Sequence, residues 1–374
     1  MAAPAGYQDF RNLVCASREA ATRSLSRFDS MKGRPRRAAP TVRSELINRM
    51  SILIVTHSKD NDSVARVVEA IARKGGQAIR FDTDRYPTDV RLTAYHGASD
   101  ERLTLTNDDG EFDLREVTAV WHRRINLGAD LPAGLDRQLR HASLGETSAA
   151  AHGMLASLKA FRMDHLHHIR HAENKQLQLQ VARELGLNTP RTLTTNDPTV
   201  VRAFATSCEG GLVTKMLSSF AIYEEGKELV VFTNPVKPED LEDLSGLRLC
   251  PATFQELLPK SLEIRATVVG KRVMSAAVDS QVSARAAHDW RRDGLRMLQD
   301  WRPYELPHDV EEKLLRLMDY FSLNYGAIDI ILTPDNRHVF LELNPCGEFF
   351  WLERAPGLPI SEAIVDILLR SSAC

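Results

Sequence analysis

Two apolar segments near the end of the chain carry carboxylate and amide side chains at positions where hydrophobic side chains would be expected. Residues 325–332 form an apolar run interrupted by Asp329, and residues 339–344 form a second run that contains Glu342 and Asn344. A Pro-Asp-Asn turn joins the two runs, so the pattern predicts a hairpin of two buried strands. Glu342 and Asn344 are two residues apart and therefore share a face, and Asp329 can lie on that face of the neighbouring strand.

Polar side chains of this kind are costly in a buried sheet unless a cation compensates them. Carboxylate and amide oxygens suit Mg²⁺, which shares the rest of its ligand shell with water and phosphate. Charges on a solvent-facing side of the hairpin would explain Glu342 alone, but they explain the three residues poorly because the other strand residues around them are apolar. The sequence therefore predicts a magnesium site made of Asp329, Glu342 and Asn344.

Basic residues in two further segments have the character of phosphate ligands. Lys175 begins a predicted helix, and Lys215 lies inside the apolar run at residues 212–217. A lysine in an apolar strand suits a triphosphate, although lysines also commonly reach from a strand edge to solvent. Glu263 and Arg265 alternate along a later strand and share a face, and Arg265 could stabilise the charge that develops during phosphoryl transfer.

The earlier part of the chain has the pattern of a parallel α/β layer. A buried strand at 51–56 is followed by a helix that begins near Asp62 and ends at a Gly-Gly pair, and then by a second strand at 77–82. This β-α-β order implies parallel strands. The connection at 57–62 lacks the Gly-rich turn of dinucleotide-binding folds, which argues against such a site. Further strands lead to a polar and basic strand exit at 121–124.

At 374 residues the chain has room for two or three domains. Its pattern predicts a basic extension at 1–49 and an N-terminal α/β domain at 50–160. A central α+β subdomain at 161–250 and a C-terminal α+β subdomain at 251–374 follow. The extension is expected to be a disordered or partly helical tail, with a targeting peptide as the alternative. The connection at 218–226 in the central subdomain is expected to be exposed and flexible.

Bulk properties exclude several classes of protein. The formal net charge is −2, so no basic excess points to nucleic acid, and no apolar run approaches the roughly 20 residues that a membrane span requires. The five cysteines are odd in number and form no Cys-x-x-Cys pair. That argues against a disulfide framework and a zinc site. We therefore expect a cytoplasmic protein that binds neither nucleic acid nor a membrane.

Two groups of residues allow more than one interpretation. Several histidines cluster near the middle of the chain, and His167 and His171 have helical metal-ligand spacing, but no acidic or cysteine partner accompanies them. A solvated helix end is the favoured interpretation. Cys346 lies beside the predicted magnesium residues without a histidine or other base to activate it, so an unreactive thiol in a turn is favoured there.

The chain resembles the ATP-grasp fold in the order of Lys175, Lys215, Gln255-Glu256-Leu257, Glu263-x-Arg265, Asp329 and Glu342-x-Asn344-Pro345. Within that fold it is similar to the microviridin-type ligases, which macrocyclise ribosomally made precursor peptides, the graspetides. The closer similarity is carried by residues 173–178, 186–194, 213–216, 254–256, 289–292, 341–348, 352–354 and 358–364. It spans about residues 50–369 and leaves out the basic extension.

This resemblance implies an α/β pre-ATP-grasp domain followed by two α+β subdomains that hold ATP between them. The γ-phosphoryl group would pass to a substrate carboxylate, and the resulting acyl phosphate would be attacked by a nucleophile. The implied contacts are the phosphates for Lys175 and Lys215, adenine for Glu256 and Leu257, ribose for Glu263, and Mg²⁺ for Asp329, Glu342 and Asn344. Arg265 would stabilise the transferred phosphoryl group and, with Lys215, form the catalytic pair.

The resemblance also implies a peptide substrate. An Asp or Glu side chain of the precursor, which has a leader and an acidic core, would be activated and linked to a Thr or Ser hydroxyl as an ω-ester or to a Lys amine as an ω-amide. Arg291 and Arg292 would receive that peptide, with a solvated loop as the alternative. A homodimer is compatible with the family.

Two alternatives remain open on sequence alone. A RimK-like amino-acid or peptide-tail ligase would share every ATP-contacting residue and differ in the substrate cleft. A non-catalytic peptide-binding pseudo-enzyme is the alternative from another class. Such a binder would have no need of the full set of Lys215, Arg265, Asp329, Glu342 and Asn344.

Overall fold

The computed structural model describes residues 50–370 except for residues 61, 218–220, 225–226, 231–232, 284–285 and 287–288. The basic extension expected at 1–49 lies outside the described residues, so its order and role stay predictions. Within the described ranges, no helix is both long enough and apolar enough to cross a membrane.

The first part of the chain forms a parallel sheet and a separate antiparallel one. Its elements are β1 (Ser51–Thr56), α1 (Asp62–Arg73), β2 (Gln77–Asp82), β3 (Arg91–His96), β4 (Glu101–Asn107), β5 (Gly110–Asp113), β6 (Val117–His122), α2 (Arg137–Ser157) and β7 (Phe161–Arg162). β1 lies between β2 and β6 and is parallel to both, and β7 pairs with β6. The predicted β-α-β start is confirmed. β3, β4 and β5 form the antiparallel sheet.

The apolar pattern of this layer explains its position in the fold. Every residue of β1 is buried, as expected for a central parallel strand. α1 buries Val64, Val67 and Ile71, which recur at helical spacing and form one apolar stripe. That stripe shares a core with Ile364 and Leu368 near the C-terminus. The end of the chain therefore returns to cover the first sheet.

The middle of the chain forms a small α+β unit. Its elements are α3 (Leu166–Ala172), α4 (Lys175–Glu184), β8 (Thr192–Thr195), α5 (Pro198–Ser207), β9 (Leu212–Lys215), β10 (Ala221–Glu224), β11 (Lys227–Val230), β12 (Asn234–Val236) and β13 (Ala252–Glu256). The sheet order is β12-β9-β13-β8, all antiparallel. Within the connection expected at 218–226, residues 221–224 form β10 and pair with β11, a pairing that the sequence did not predict. The exposure and flexibility of this connection stay predictions. The rest of that segment lies outside the described residues.

The last part of the chain contains the sheet that carries the predicted magnesium residues. Its elements are β14 (Leu262–Val269), β15 (Arg272–Val278), α6 (Gly294–Met297), β16 (Arg302–Pro303), α7 (His308–Phe321), β17 (Tyr325–Leu332), β18 (His338–Asn344), α8 (Phe350–Arg354) and α9 (Ile360–Arg370). The strands are antiparallel in the order β16-β15-β14-β17-β18. The predicted β17–β18 hairpin is confirmed.

The two faces of this sheet have different roles. Alternate residues of the central strands, including Ile264, Ala266 and Ile328, are buried in a core that also contains Leu314 and Phe321 of α7. The intervening residues of the same strands point to the other face because strand side chains alternate. That second face carries the charged side chains, so the apolar core beneath it serves as their support.

A buried carboxyl joins the end of the first layer to the start of β17. Asp164 Oδ1 accepts a hydrogen bond from the Asn324 backbone N–H at 2.6 Å, and Asn324 Nδ2 donates to the Met163 carbonyl at 2.6 Å. Asp164 is only 4% exposed. Burial raises the pKa of Asp164 to about 8, against the opposing backbone hydrogen bonds from Asn324 and Tyr325. The Asp164 carboxyl is therefore protonated in the folded protein at pH values where it is ionised in the unfolded chain.

This carboxyl predicts a loss of stability as the pH rises. The unfolded chain releases the Asp164 proton near the usual value of 3.8 and the folded protein near 8, so the stabilisation disappears as the pH approaches 8. Burial lowers the pKa of His122 to about 4. His122 therefore makes stability increase as the pH rises, but only below its ordinary pKa of 6.5. Between pH 6.5 and pH 8 the unfolding free energy of the wild type should therefore decrease, by on the order of 2 kcal/mol. This decrease should be absent in the Asp164→Asn variant.

Urea denaturation of the wild type and the Asp164→Asn variant at pH 6.5 and at pH 8 measures this effect. Taking the difference between the two proteins cancels the other titrating groups. Equal pH slopes in the two proteins would contradict the assignment. Asp335→Asn is the matched control because Asp335 is exposed and its pKa is lowered, first by hydrogen bonds from Thr333 and Arg337.

Candidate active site

The register of three strands brings the predicted charged residues together. Arg265 in β14 lies directly opposite Asp329 in β17, and Asp329 lies directly opposite Glu342 in β18. Residues opposite one another in an antiparallel pair project to the same face. Asn344 lies two residues beyond Glu342, opposite Ala327, and so shares that face. The prediction that the two carboxylates and the amide converge is confirmed.

Direct hydrogen bonds connect these side chains. Arg265 Nη1 donates to Asp329 Oδ1 at 2.6 Å. Asn344 Nδ2 donates to Asp329 Oδ2 at 3.3 Å and to Glu342 Oε1 at 3.0 Å. The amide of Asn344 thus points its nitrogen at both carboxylates. A half-turn about the last side-chain bond of Asn344 points the oxygen there instead. Two carboxylates and one amide oxygen make a donor set of the kind that Mg²⁺ takes in proteins.

Arg265, Asp329, Glu342 and Asn344 form a row of polar side chains across the three strands. Lys175 lies beside this row, at the side that faces α4. Its Nζ lies 3.0 Å from Asn344 Oδ1, 3.1 Å from the Leu343 carbonyl and 3.3 Å from Glu342 Oε2. Lys175 is the first residue of α4, so the helix start directs the ammonium group at the end of β18. The lysine predicted to contact phosphate therefore lies in the same cluster as the predicted magnesium residues.

Gln178 was not identified from the sequence, although it holds the same strand. Its side chain is fully buried and lies one turn after Lys175. Gln178 Oε1 accepts from the Leu343 N–H at 2.8 Å, and its Nε2 donates to the Leu343 carbonyl at 2.8 Å. This paired contact anchors β18 between Glu342 and Asn344. A glutamine on an amphipathic helix carries no sequence signal for such a role.

The two carboxylates respond differently to their surroundings. Burial works to raise the pKa of Glu342, but the charges of Lys175 and Lys215 outweigh it and hold that pKa well below the usual range. Burial raises the pKa of Asp329, the Arg265 charge opposes this, and the neighbouring Glu342 charge adds to it. An excess of cationic groups around a carboxylate pair suits an additional anion such as a triphosphate.

Two cationic residues approach the row from outside the five-stranded sheet. Lys215 ends β9, and burial lowers its pKa while the charge of Glu342 opposes that change. Arg291 forms a two-point ion pair with buried Asp289, with Nε–Oδ1 and Nη2–Oδ2 distances of 2.8 and 2.6 Å. Burial would lower the pKa of Arg291, but Asp289 raises it, with smaller contributions from the charges of Asp329 and Glu342.

Four other predicted residues contact partners outside this row. Glu256 Oε1 accepts from the Arg191 N–H at 2.8 Å, and the Leu257 N–H donates to the Gly211 carbonyl at 2.9 Å. Glu263 forms an ion pair with Lys260 at 2.6 Å. Arg292 Nη2 donates to the Thr233 carbonyl at 3.0 Å and also contacts the Asn234 side chain. Their roles toward adenine, ribose and peptide stay predictions.

The histidine cluster and Cys346 are the two groups that allow more than one interpretation. Among the described residues, no group of three or more His, Cys, Asp and Glu side chains is arranged to hold a metal ion. His165, His167 and His168 pack ring against ring, with centroids 4.1 to 5.5 Å apart. Burial raises the pKa of the Cys346 thiol to about 12, so this thiol stays protonated near neutral pH.

The basic strand exit after β6 reaches the loop that follows β18. Arg123 is 2% exposed and its Nη1 donates to the Gly347 carbonyl at 2.9 Å. Arg124 Nη2 lies 2.6 Å from Glu348 Oε1. The sequence shows that this exit is basic, but contacts across more than 200 residues are not visible in it.

A comparison with known families matches residues 51–170 to the model of the MvdD pre-ATP-grasp domain. A comparison with curated proteins finds no match. The family model therefore covers the parallel first layer and ends just before α4. It does not reach Arg265, Asp329, Glu342 or Asn344.

Solved structures match a larger part of the chain. Macrocyclase MdnC from Microcystis aeruginosa MRC, bound with precursor peptide MdnA, is 50% identical over 86% of this chain and all of MdnC, with a TM-score of 0.78. A RiPP-associated ATP-grasp ligase from Chryseobacterium gregarium, in complex with ADP and a leader and core peptide, is 38% identical over 86% and 97% of the two chains, with a TM-score of 0.80. Macrocyclase MdnB from the same Microcystis is 37% identical over 86% and 99%, with a TM-score of 0.73.

These similarities extend over nearly the full length of each relative and over 86% of this chain. The fold is thus the ATP-grasp fold that the sequence predicts. The chain belongs to the family of RiPP-associated ATP-grasp ligases that includes the macrocyclases MdnC and MdnB.

Proposed function

We propose that this enzyme is an ATP-dependent macrocyclase of a ribosomally made precursor peptide. It activates Asp or Glu side chains of the peptide and closes ω-ester links to Thr or Ser, or ω-amide links to Lys. The observation that carries the proposal is the row Arg265, Asp329 and Glu342, with Asn344 and Lys175 beside it. The similarity to MdnC, which was solved with its precursor peptide, supports a peptide as the substrate.

The residues present fit Mg²⁺ and ATP. Asp329, Glu342 and Asn344 would hold Mg²⁺, and Lys175 would contact the phosphates that the ion shares. Bound Mg²⁺ would neutralise phosphate oxygens and orient the γ-phosphoryl group. Bound ATP would supply that group to the substrate carboxylate with departure of ADP, and attack by the hydroxyl or amine on the acyl carbon would then release phosphate. The ADP in the 38%-identical ligase supports the nucleotide assignment.

The protein's own groups act through position and charge. Arg265 would stabilise the negative charge on the transferred phosphoryl group, and Lys215 would approach the same group from β9. Both side chains come from strands, so their positions are set by backbone pairing rather than by loops. No protein side chain forms a covalent bond in this scheme. Positioning and electrostatics supply the catalysis, as is usual for phosphoryl transfer.

The remaining ligand contacts follow from the order of the chain. β13 ends at Glu256 and leads toward the five-stranded sheet, so Glu256 and Leu257 are proposed for adenine, and Glu263 for ribose. Arg291 is proposed for the acidic peptide because Asp329 and Glu342 lie within its electrostatic reach. Arg292 is proposed to support that contact from the loop beside β12.

The chain is further proposed to contain an N-terminal domain at 50–160 and two ATP-grasp subdomains at 161–250 and 251–374. The separate sheets of the fold and the match at 51–170 support this division. A cytoplasmic location is proposed on the cysteines, since Cys208, Cys250 and Cys346 are free thiols in the described part of the chain.

Incubation with a precursor peptide encoded beside the enzyme's gene tests the proposal. With Mg²⁺ and ATP, mass spectrometry should show the loss of one water mass for each ring closed, together with release of one ADP. Omitting ATP should leave the peptide mass unchanged. A gain of an amino-acid mass would instead indicate a tail-adding ligase. An unchanged peptide, with no thermal stabilisation of the enzyme by Mg²⁺-ATP, would indicate a pseudo-enzyme.

A further inference from the structure

The loop that follows β18 turns three consecutive backbone carbonyls toward cationic or phenolic donors. The Cys346 and Gly347 carbonyls accept from Arg123 Nη1, and the Gly347 carbonyl also accepts from the Tyr325 hydroxyl at 2.6 Å. The Glu348 carbonyl accepts from Arg265 Nη2 at 3.2 Å. The loop therefore lies between two guanidinium groups, one from β6 and one from β14.

The Glu348 side chain ties this loop to the first layer. Its carboxylate contacts Arg123 Nη2, lies 2.6 Å from Arg124 Nη2, and accepts from Ser63 Oγ at 2.9 Å. The same two arginines also meet a carboxylate of the first layer. Asp60 lies 3.8 Å from Arg123 Nε and 3.7 Å from Arg124 Nη1. Arg123 is buried, so its planar donors match two carbonyls and one carboxylate with little freedom to move.

The same loop helps to hold the Arg265 guanidinium in place. Asp329 holds one side of it, the Glu348 carbonyl holds another, and the Trp351 ring lies 5.5 Å from its central carbon. Gly347 leaves no space for adjustment, because an added Cβ would lie 2.4 Å from Ala327 Cβ and 3.2 Å from Arg265 Nη2. A shift of the loop would therefore move Arg265 relative to Asp329.

We propose that Arg123 and Glu348 are positioning residues that set the place of Arg265 from the first layer of the fold. The contacts run from Arg123 and Arg124 to the Glu348 side chain, from the Glu348 carbonyl to Arg265, and from Arg265 to Asp329. Neither Arg123 nor Glu348 contacts the substrate in this scheme. The proposal rests on the proposed function, since it assigns the phosphoryl-stabilising role to Arg265.

The first test is the Arg123→Lys variant. A lysine keeps the charge but cannot contact two carbonyls and a carboxylate with fixed planar donors. We expect kcat for macrocyclisation to decrease about a hundredfold, the size expected when a reacting group is misplaced by about 1 Å. KM for ATP should stay within about twofold, because the Lys175 and Lys215 contacts are untouched. Glu348→Gln removes only the charge and nearly preserves shape, so it decides the question if Arg123→Lys does not fold.

Lys74→Ala is the matched control. Lys74 also joins the first layer to the C-terminal part, through Nζ–oxygen distances of 2.5 Å to Asp366 and 3.0 Å to Glu362, but it does not contact the loop. A role limited to holding the layers together would lower the melting temperature of all three variants and leave kcat unchanged. The proposal is overturned if Arg123→Lys and Glu348→Gln behave like Lys74→Ala.

A crystal structure of Glu348→Gln separates this inference from the proposed function. The inference requires a longer Arg265–Asp329 contact than the 2.6 Å of the wild type. A wild-type enzyme that forms no cyclic product would contradict the proposed function, and the Arg265–Asp329 distance would still decide the positioning role. An active wild type with an unmoved Arg265 in the variant would contradict the positioning role alone.

Discussion

Arg265→Lys enzyme is expected to turn over about 10² to 10³ times more slowly than wild type, the loss that typically follows removal of one donor to developing charge. The arginine side chain contacts Asp329 and the Glu348 carbonyl with separate nitrogens, which leaves its guanidinium plane fixed against Trp351. An ammonium group is a point charge on a flexible stem and cannot keep this geometry. KM for ATP should change little, because the interaction lost is one made in the transition state.

Initial rates of ADP release and cyclic-product formation, measured over a range of ATP concentrations, give kcat and KM separately. Arg272→Lys is the control, since Arg272 lies on the adjacent strand β15 and pairs with Asp366 at 3.1 Å at the surface. An exposed pair of this type contributes at most about 1 kcal/mol to stability. Wild-type kcat in Arg265→Lys would refute the assigned role of Arg265.

Glu342→Gln should raise the Mg²⁺ concentration needed for half-maximal activity by at least about tenfold to a hundredfold, the loss that follows removal of even an outer partner of a metal site. The variant replaces a charged oxygen ligand by a neutral amide. Lys175, Lys215 and the backbone anchor on Leu343 stay in place. Metal-free ATP should still bind, whereas stabilisation by Mg²⁺-ATP over ATP alone should be lost.

Activity titrated with MgCl₂ and melting temperatures with ATP, with and without excess EDTA, measure both effects. Asp319→Asn is the control because Asp319 is an exposed carboxylate that pairs with Lys271 on the surface. In wild type, EDTA should abolish turnover, and added Mg²⁺ should restore it. An unchanged Mg²⁺ requirement in Glu342→Gln would remove Glu342 from the metal site.

The convergence of Asp329, Glu342 and Asn344 could be predicted because strand geometry is strongly periodic. Apolar neighbours specify buried strands, a short turn specifies a hairpin, and alternation places the polar residues on one face. Arg265 could be added because it alternates with Glu263 along a third strand. The β17–β18 pairing itself follows from local sequence, since only five residues separate the two strands in the chain, from 333 to 337.

The contacts made by Gln178, Arg123 and Glu348 could not be predicted in the same way. The Gln178–Leu343 and Arg123–Glu348 contacts each join residues more than 160 positions apart, and no periodicity encodes which segments meet. The β10–β11 pairing was missed for a different reason. The segment at 218–226 lies between two predicted strands and contains glycine and charged residues, so turn chemistry outweighed its strand propensity in the prediction.

The alignment of Arg265, Asp329 and Glu342 across three strands limits how this enzyme can change in length. Inserting or deleting one residue within β14, β17 or β18 would reverse the faces along the rest of that strand, exchanging a charged side chain for an apolar one from the core. The turn at 333–337 lies at the opposite end of the hairpin from Asn344 and carries no such constraint. Evolution and laboratory design can therefore alter the length of that turn, but they can alter these strands only by substitution.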